Sequence, residues 1–147
     1  MKNRRGRCPL SQGSSVKTEK LVSDVGSLIN LRVTHKRAPL SVLEALTLKR
    51  PSDVMVEFIN SHLIQEIMIL QTCNRVEFYA LAPGSNPQSS AKTLAEYWLG
   101  QTNFEPDEFN DYLEMSFGRD VIRHIMRLAS GLESMVVGED QILGQVQ

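Results

Sequence analysis

The stretch EIMILQTCNRVEFYALA, residues 66–82, holds two strands and the turn between them. Glu66 to Leu70 is a compact apolar run, and Val76 to Ala82 is β-branched and aromatic. Both compositions suit a pleated, half-buried surface. The gap from Gln71 to Arg75 is short enough to join neighbouring antiparallel strands.

Upstream, Leu28, Ile29, Leu31 and Val33 predict a first strand ending at His35. Pro39 and then Ser41 predict a helix start, with Ser41 as N-cap and Glu44 at capping-box spacing. Val42, Leu43, Ala45, Leu46 and Leu48 support that helix. Pro51 breaks it, and Ser52 is expected to cap a second helix from Val54 to about Asn60. Downstream, Pro83 to Pro87 predicts a loop. Ala91, Leu94, Ala95, Trp98 and Leu99 recur at helical spacing. A fourth strand is placed around Asp111 to Ser116, with Tyr112 and Leu113 in the core. Val121, Ile125, Leu128 and Leu132 fall on one helix face, Arg119, Arg123 and Arg127 form a polar stripe, and Gly131 sits where that helix should end. Met135 to Gln147 has no C-cap or polar tail, and predicts a helix that runs on into a longer protein. The order β-α-β-β-α-β predicts an α+β, ferredoxin-like sandwich with an additional C-terminal helix and the start of a long connecting helix. That fold hosts many functions and selects none.

Composition narrows the classes. An apolar fraction of 41% and a charged fraction of 22% are those of a globular domain. No apolar run is long enough to span a membrane. The basic start lacks a following apolar segment, which argues against a secretory signal. Cys8 and Cys73 have no metal-ligand spacing, so a reduced, cytoplasmic setting is expected. Residues 1–20 hold six Lys/Arg and one acid, leaving 16 − 6 = 10 basic and 17 − 1 = 16 acidic residues in the rest. Residues 1–26 are therefore expected to be a disordered basic tail, and 27–147 an acidic folded domain. An acidic body argues against non-specific nucleic-acid binding, although it leaves room for a local basic patch.

The candidate chemistry centres on Thr72-Cys73-Asn74-Arg75. A guanidinium beside a thiol favours the reactive thiolate, and its planar fork also suits a carboxylate. The competing reading makes Cys73 a small buried hydrophobe and Arg75 a surface charge. His124 lies at the border of an apolar helix face, where it serves either as packing or as a partner for a distant Cys. His35 is either a second such candidate or a turn residue. Glu139, Gln141 and Gln145 either line an amino-acid pocket or lie exposed. There is no Gly-rich phosphate loop and no GxGxxG after a strand, so no route to a dinucleotide is visible.

Three segments together resemble the glutamyl-tRNA reductase family. They are THKRAPLSVLE (Thr34 to Glu44), LQTCNRVEFYA (Leu70 to Ala80) and HIMRLASGLESMVVGEDQILGQVQ (His124 to Gln147). The resemblance implies Cys73 as nucleophile and His124 as the histidine needed for activity. It implies Thr72, Asn74, Arg75, Ser134, Glu139, Asp140, Gln141 and Gln145 at the substrate. Asp140 departs from the family's usual GEPQ, so its side chain is the least transferable. The resemblance further implies NADPH-dependent reduction of glutamyl-tRNA(Glu) to glutamate-1-semialdehyde through a thioester, at the start of C5 tetrapyrrole and haem synthesis. NADPH-binding and dimerisation domains are expected beyond Gln147, with a homodimer and the downstream aminomutase as partners. The rival classes are a ferredoxin-like small-ligand-binding regulatory domain with Cys73 in its core, and a cysteine hydrolase or acyltransferase that does not use tRNA.

Overall fold

Alternation along two central strands decides the architecture. The computed structural model describes residues 25–84 and 86–133. Strands β1 (Leu28–Thr34), β2 (Glu66–Thr72), β3 (Arg75–Leu81) and β4 (Glu114–Phe117) form an antiparallel sheet in the order β2-β3-β1-β4. Helices α1 (Leu40–Leu46), α2 (Pro51–Asn60), α3 (Pro87–Gly100), α4 (Pro106–Tyr112) and α5 (Arg119–Ala129) complete the described order. The strand order and the helix-bearing crossovers are those of the ferredoxin-like sandwich, with α5 as the additional helix.

Successive side chains of a strand point to opposite faces. Ile29, Leu31 and Val33 of β1 therefore share one face, opposite Ala80, Phe78 and Val76 of β3. Helices α1 to α4 cover that face and form the main core through Leu43, Leu46, Phe58, Leu94 and Phe109. Trp98 of α3 lies at its centre. Its ring packs against Phe78 at 4.7 Å and edge-on to Phe109 at 5.4 Å. Its Nε1–H donates to the Leu46 carbonyl at 3.0 Å, so the indole is buried without an orphaned donor. The other face carries Asn30, Arg32, Thr34, Arg75, Glu77 and Tyr79. Helix α5 lies over it, with Val121 and Leu128 packed on Leu70 and Tyr79.

Several boundaries differ from expectation. Strands β2 and β3 run on to Thr72 and back to Arg75, so the connection is Cys73-Asn74 instead of five residues. Strand β1 ends at Thr34, one residue before His35. Ser41 is inside α1 and makes no cap bond, because Pro39 is already extended (φ −67°, ψ 161°) and serves as N-cap. Ser52 does not cap α2 either. Pro51 is the first helical residue, a position that needs no N–H and suits the fixed φ of proline. Helix α4 occupies part of the expected fourth strand. Tyr112 ends the helix, half-buried, while Leu113 is buried and β4 starts at Glu114. Helix α5 stops in a Schellman turn at Gly131 (φ 71°). There the Gly131 N–H donates to the Leu128 carbonyl (3.0 Å) and the Leu132 N–H to the Arg127 carbonyl (2.9 Å). Leu132 is thereby turned out to solvent and does not extend the apolar face. Val25 and Gly26, assigned to the tail, are helical. The rest of the tail, the expected Met135–Gln147 helix, and Ser134, Glu139, Asp140, Gln141 and Gln145 lie outside the described residues.

Trp98→Ala should cost about 3–5 kcal/mol of unfolding free energy in a urea titration. It removes the largest fully buried side chain and strands the Leu46 carbonyl.

Candidate active site

Hairpins closed by two residues usually use primed turns, whose positive φ angles match the strand twist. Cys73 and Asn74 close this one with neither residue at positive φ. Two tethers hold the turn instead. The Asn74 N–H donates to Thr72 Oγ1 at 3.2 Å, and the Asn74 carbonyl accepts the His35 N–H at 2.9 Å. Thr72, Asn74 and the His35 backbone thus build the turn that presents Cys73, which is exposed. A core role for Cys73, which the regulatory-domain reading required, is ruled out by that exposure. The ring of His35 serves no partner at Nδ1 among the described residues.

Behind the turn, Arg75, Glu77 and Tyr79 alternate onto the face beneath α5. Arg75 is 1% exposed, so its reading as a surface charge is also corrected. Glu77 is fully buried, and a buried carboxylate needs donors on both oxygens. Arg75 Nη1 donates to Oε1 at 2.8 Å. Tyr79 Oη donates to Oε2 at 2.6 Å, His124 Nε2 lies 2.8 Å from the same oxygen, and Asn30 Nδ2 is 3.4 Å away. Tyr79 and His124 also stack, with centroids 6.4 Å apart and planes 19° from parallel. Burial alone would push the Glu77 carboxyl up. The hydrogen bond and charge of His124, the Tyr79 hydroxyl and the Arg75 charge outweigh it and hold the pKa at about 2. Burial raises the Tyr79 phenol, as do the charge and hydrogen bond of Glu77.

The network reaches two further elements. Arg32 on β1 donates to Asn30 Oδ1 at 2.7 Å and pairs with Glu114 of β4 at 3.5 Å. Past the Schellman turn, Glu133 is bound by Lys36 and by Arg127 Nε, and its carbonyl accepts from Arg75 Nη2. Burial raises the Glu133 carboxyl, but hydrogen bonds from Lys36 and Arg127 outweigh this and hold its pKa at about 2. A cavity of about 120 Å³ opens between these groups, bounded by Arg32, Thr34, Lys36, Arg75, Glu114, His124 and Glu133. Arg75 Nε and Thr34 Oγ1 are buried there without partners among the described residues. Two of the three cations in the cavity wall are paired, Arg32 with Glu114 and Lys36 with Glu133, which leaves Arg75 Nε as the donor that suits a small carboxylate. Its lining offers no metal site: among the described residues no cluster of three or more His, Cys, Asp or Glu is positioned to hold a metal ion.

Of the predicted site residues, Thr72, Cys73, Asn74, Arg75 and His124 are described and lie around this face and its adjoining turn. Glu77, Tyr79, Asn30, Arg32 and Glu133 join them. For Asn30, Arg32 and Glu77 the sequence signal was a charged or amide residue at alternate positions of two otherwise apolar strands.

A ferredoxin-like α+β domain with an exposed thiol beside a buried ionic cluster is the class that fold and site define. The family model for the glutamyl-tRNAGlu reductase N-terminal domain matches residues 31–147. Glutamyl-tRNA reductases of Cenarchaeum symbiosum (strain A) and Aromatoleum aromaticum are 38% and 39% identical to the chain over 123 residues. Those alignments cover 84% and 82% of the chain but 28% of each relative. The solved glutamyl-tRNA reductase from Methanopyrus kandleri matches with a TM-score of 0.61 at 31% identity, over 82% of this chain and 26% of that one. The chain belongs to the glutamyl-tRNA reductase N-terminal domain family.

A carboxyl whose pKa falls on folding stabilises the fold above its unfolded value, and that contribution is lost as pH falls towards the folded value. For Glu77 the window runs from about 4.5 down to about 2. Glu77→Gln should therefore destabilise the chain at neutral pH and make its stability fall less steeply across that window than in the wild type. Urea midpoints measured at several pH values check this.

Proposed function

We propose that this chain is the glutamyl-recognition and thioester-forming domain of a glutamyl-tRNA reductase. The carrying observation is the exposed Cys73 at a tethered turn, whose next residue but one, Arg75, is wired through Glu77 to His124. Glutamate on tRNA is held by an ester. The Cys73 thiol gives up its proton as its sulfur attacks the carbonyl carbon, a C–S bond forms, the C–O bond to the ribose breaks, and the ribose oxygen takes up a proton. His124 handles that proton, a role typically worth 10²–10⁴-fold. Splitting the transfer in this way is covalent catalysis. The cavity beside the turn receives the glutamyl side-chain carboxylate, with Arg75 Nε, which has no partner among the described residues, as its donor. Thr72 and Asn74 hold the turn, and Ser134, Glu139, Asp140, Gln141 and Gln145 are proposed to complete the pocket.

The cavity beside the turn does not fit NADPH. The strand-to-helix joins after β1, β3 and β4 lack the glycine pattern that admits a pyrophosphate, and the cavity is far too small for a dinucleotide. Reduction to glutamate-1-semialdehyde at the head of tetrapyrrole synthesis is thus assigned to NADPH held elsewhere in the whole protein. A homodimer, hand-off to the aminomutase and a cytoplasmic setting belong to the same proposal. Among the described residues no helix is long and apolar enough to cross a membrane.

Incubation of the chain with glutamyl-tRNA should yield a glutamylated Cys73, detected by intact-mass and peptide mass spectrometry. Cys73→Ser should give no thioester while keeping its circular dichroism spectrum; undiminished capture by that variant would reject the scheme. With NADPH added, the 147-residue chain should show no oxidation of the cofactor at 340 nm (an ordinary absorbance assay), and oxidation would overturn the assignment of the hydride donor to another part of the protein.

A further inference from the structure

We infer that Glu77 is a positioning residue that fixes His124 as the Nε2–H tautomer, so that Nδ1 is the nitrogen that moves the proton during acyl transfer. The inference rests on the proposed role of His124 and adds which atom acts and what selects it.

An ionised carboxylate only accepts. Every other contact to Glu77 is made by a group with a proton to give: the Arg75 guanidinium, the Tyr79 hydroxyl and the Asn30 amide. The Asn30 orientation is itself fixed, since its Oδ1 accepts from Arg32 and its Nδ2 also donates to the Phe78 carbonyl at 3.2 Å. The Arg75 guanidinium at 2.8 Å, with the donors of Tyr79 and Asn30, keeps the carboxylate charged. His124 Nε2, at 2.8 Å from Oε2, must then carry its hydrogen, because its lone pair would otherwise face those of a fully buried carboxylate. A neutral imidazole has one N–H and one lone pair, and the bond made by one nitrogen selects the state of the other. In the neutral ring the lone pair is therefore on Nδ1, which has no hydrogen-bond partner among the described residues. His124 borders the small cationic cavity, and Tyr79 stacks on its ring and limits rotation.

The proton path follows. Nδ1 accepts the Cys73 thiol proton as the C–S bond forms, and the resulting imidazolium is stabilised by the Glu77 carboxylate behind it. The same Nδ1–H then protonates the ribose oxygen as the C–O bond breaks. Arg75 shares the carboxylate, so one buried group sets both the ring and the guanidinium.

The test uses the whole 147-residue chain labelled with ¹⁵N-histidine. Long-range ¹H–¹⁵N correlation spectra, recorded where the ring is neutral, distinguish the two tautomers, and the His124 signals are those lost in His124→Gln. The expected wild-type result is Nε2–H; an Nδ1–H ring overturns the inference without any variant at Glu77 having to fold. In Glu77→Gln the amide can donate as well as accept, so the Nε2–H preference should be lost. Glutamylation of Cys73 from glutamyl-tRNA should also slow about 10²-fold. A rate within twofold of wild type, or a tautomer unaltered by the substitution, overturns the inference. Absence of any Cys73 acylation in the wild type, with His124 nonetheless Nε2–H, sinks the thioester reading and leaves the tautomer assignment standing.

Discussion

A carboxylate with no exposed surface, Glu77, is the constraint around which the described half of the site is arranged. Its burial is tolerable only if several donors converge on it, and no single element can supply them. Strand β3 gives Arg75 and Tyr79, β1 gives Asn30, and α5 gives His124. The sheet register and the seating of α5 are therefore coupled. A one-residue slip of β1 against β3 would turn Asn30 to the other face and bring an aliphatic side chain into its place. The same slip would drive Asn30 and Arg32 into the hydrocarbon between the sheet and α1 to α4.

The two faces of the sheet divide the work. The face toward α1 to α4 is closed with aliphatic and aromatic packing, and Trp98 ties α3 to the end of α1 through one hydrogen bond. The other face is apolar where α5 docks, at Leu70, Tyr79, Val121 and Leu128, and polar along Arg75, Glu77, Arg32 and Thr34. Cross-strand pairing sets Arg32 opposite Glu77 on one side and Glu114 on the other, so a row of alternating charge crosses β3, β1 and β4. Alternating signs on neighbouring strands are the arrangement in which cross-strand charges attract.

Much of this was legible in the sequence. The hairpin of residues 66–82 and the β-α-β-β-α-β order follow from composition and period, and the fold agrees. Cys73 and His124 were singled out by their positions, one in a turn and one at a face border. What escaped was long-range. Nothing local says that Arg75 and Glu77 point inward, because alternating polar residues ordinarily mark the solvent side of a strand. Only the register, and a helix some 45 residues downstream, put them inside. Helix α4 escaped because seven residues give fewer than two full periods, although Pro106 at its first position and Asp107 and Glu108 in its first turn are helix-start chemistry. The caps at Ser41 and Ser52 were misplaced because a proline in each neighbourhood already sets the starting geometry.

The contrast in burial between Cys73 and the residues behind it bears on what the site can accept. Buried ion clusters add little net stability over well-packed hydrocarbon of the same volume. What hydrocarbon of that shape cannot do is aim charged groups. The Glu77 network aims a guanidinium and an imidazole from a sheltered position, while the thiol stays outside on a turn tied at both ends. A nucleic acid cannot enter a cavity of about 120 Å³, but one amino-acid side chain is on that scale. Under the proposed reaction the carrier therefore remains at the surface beside the turn and only the glutamyl group is drawn inward. An exposed thiol backed by a buried ionic network is the division of burial that the proposed substrate requires.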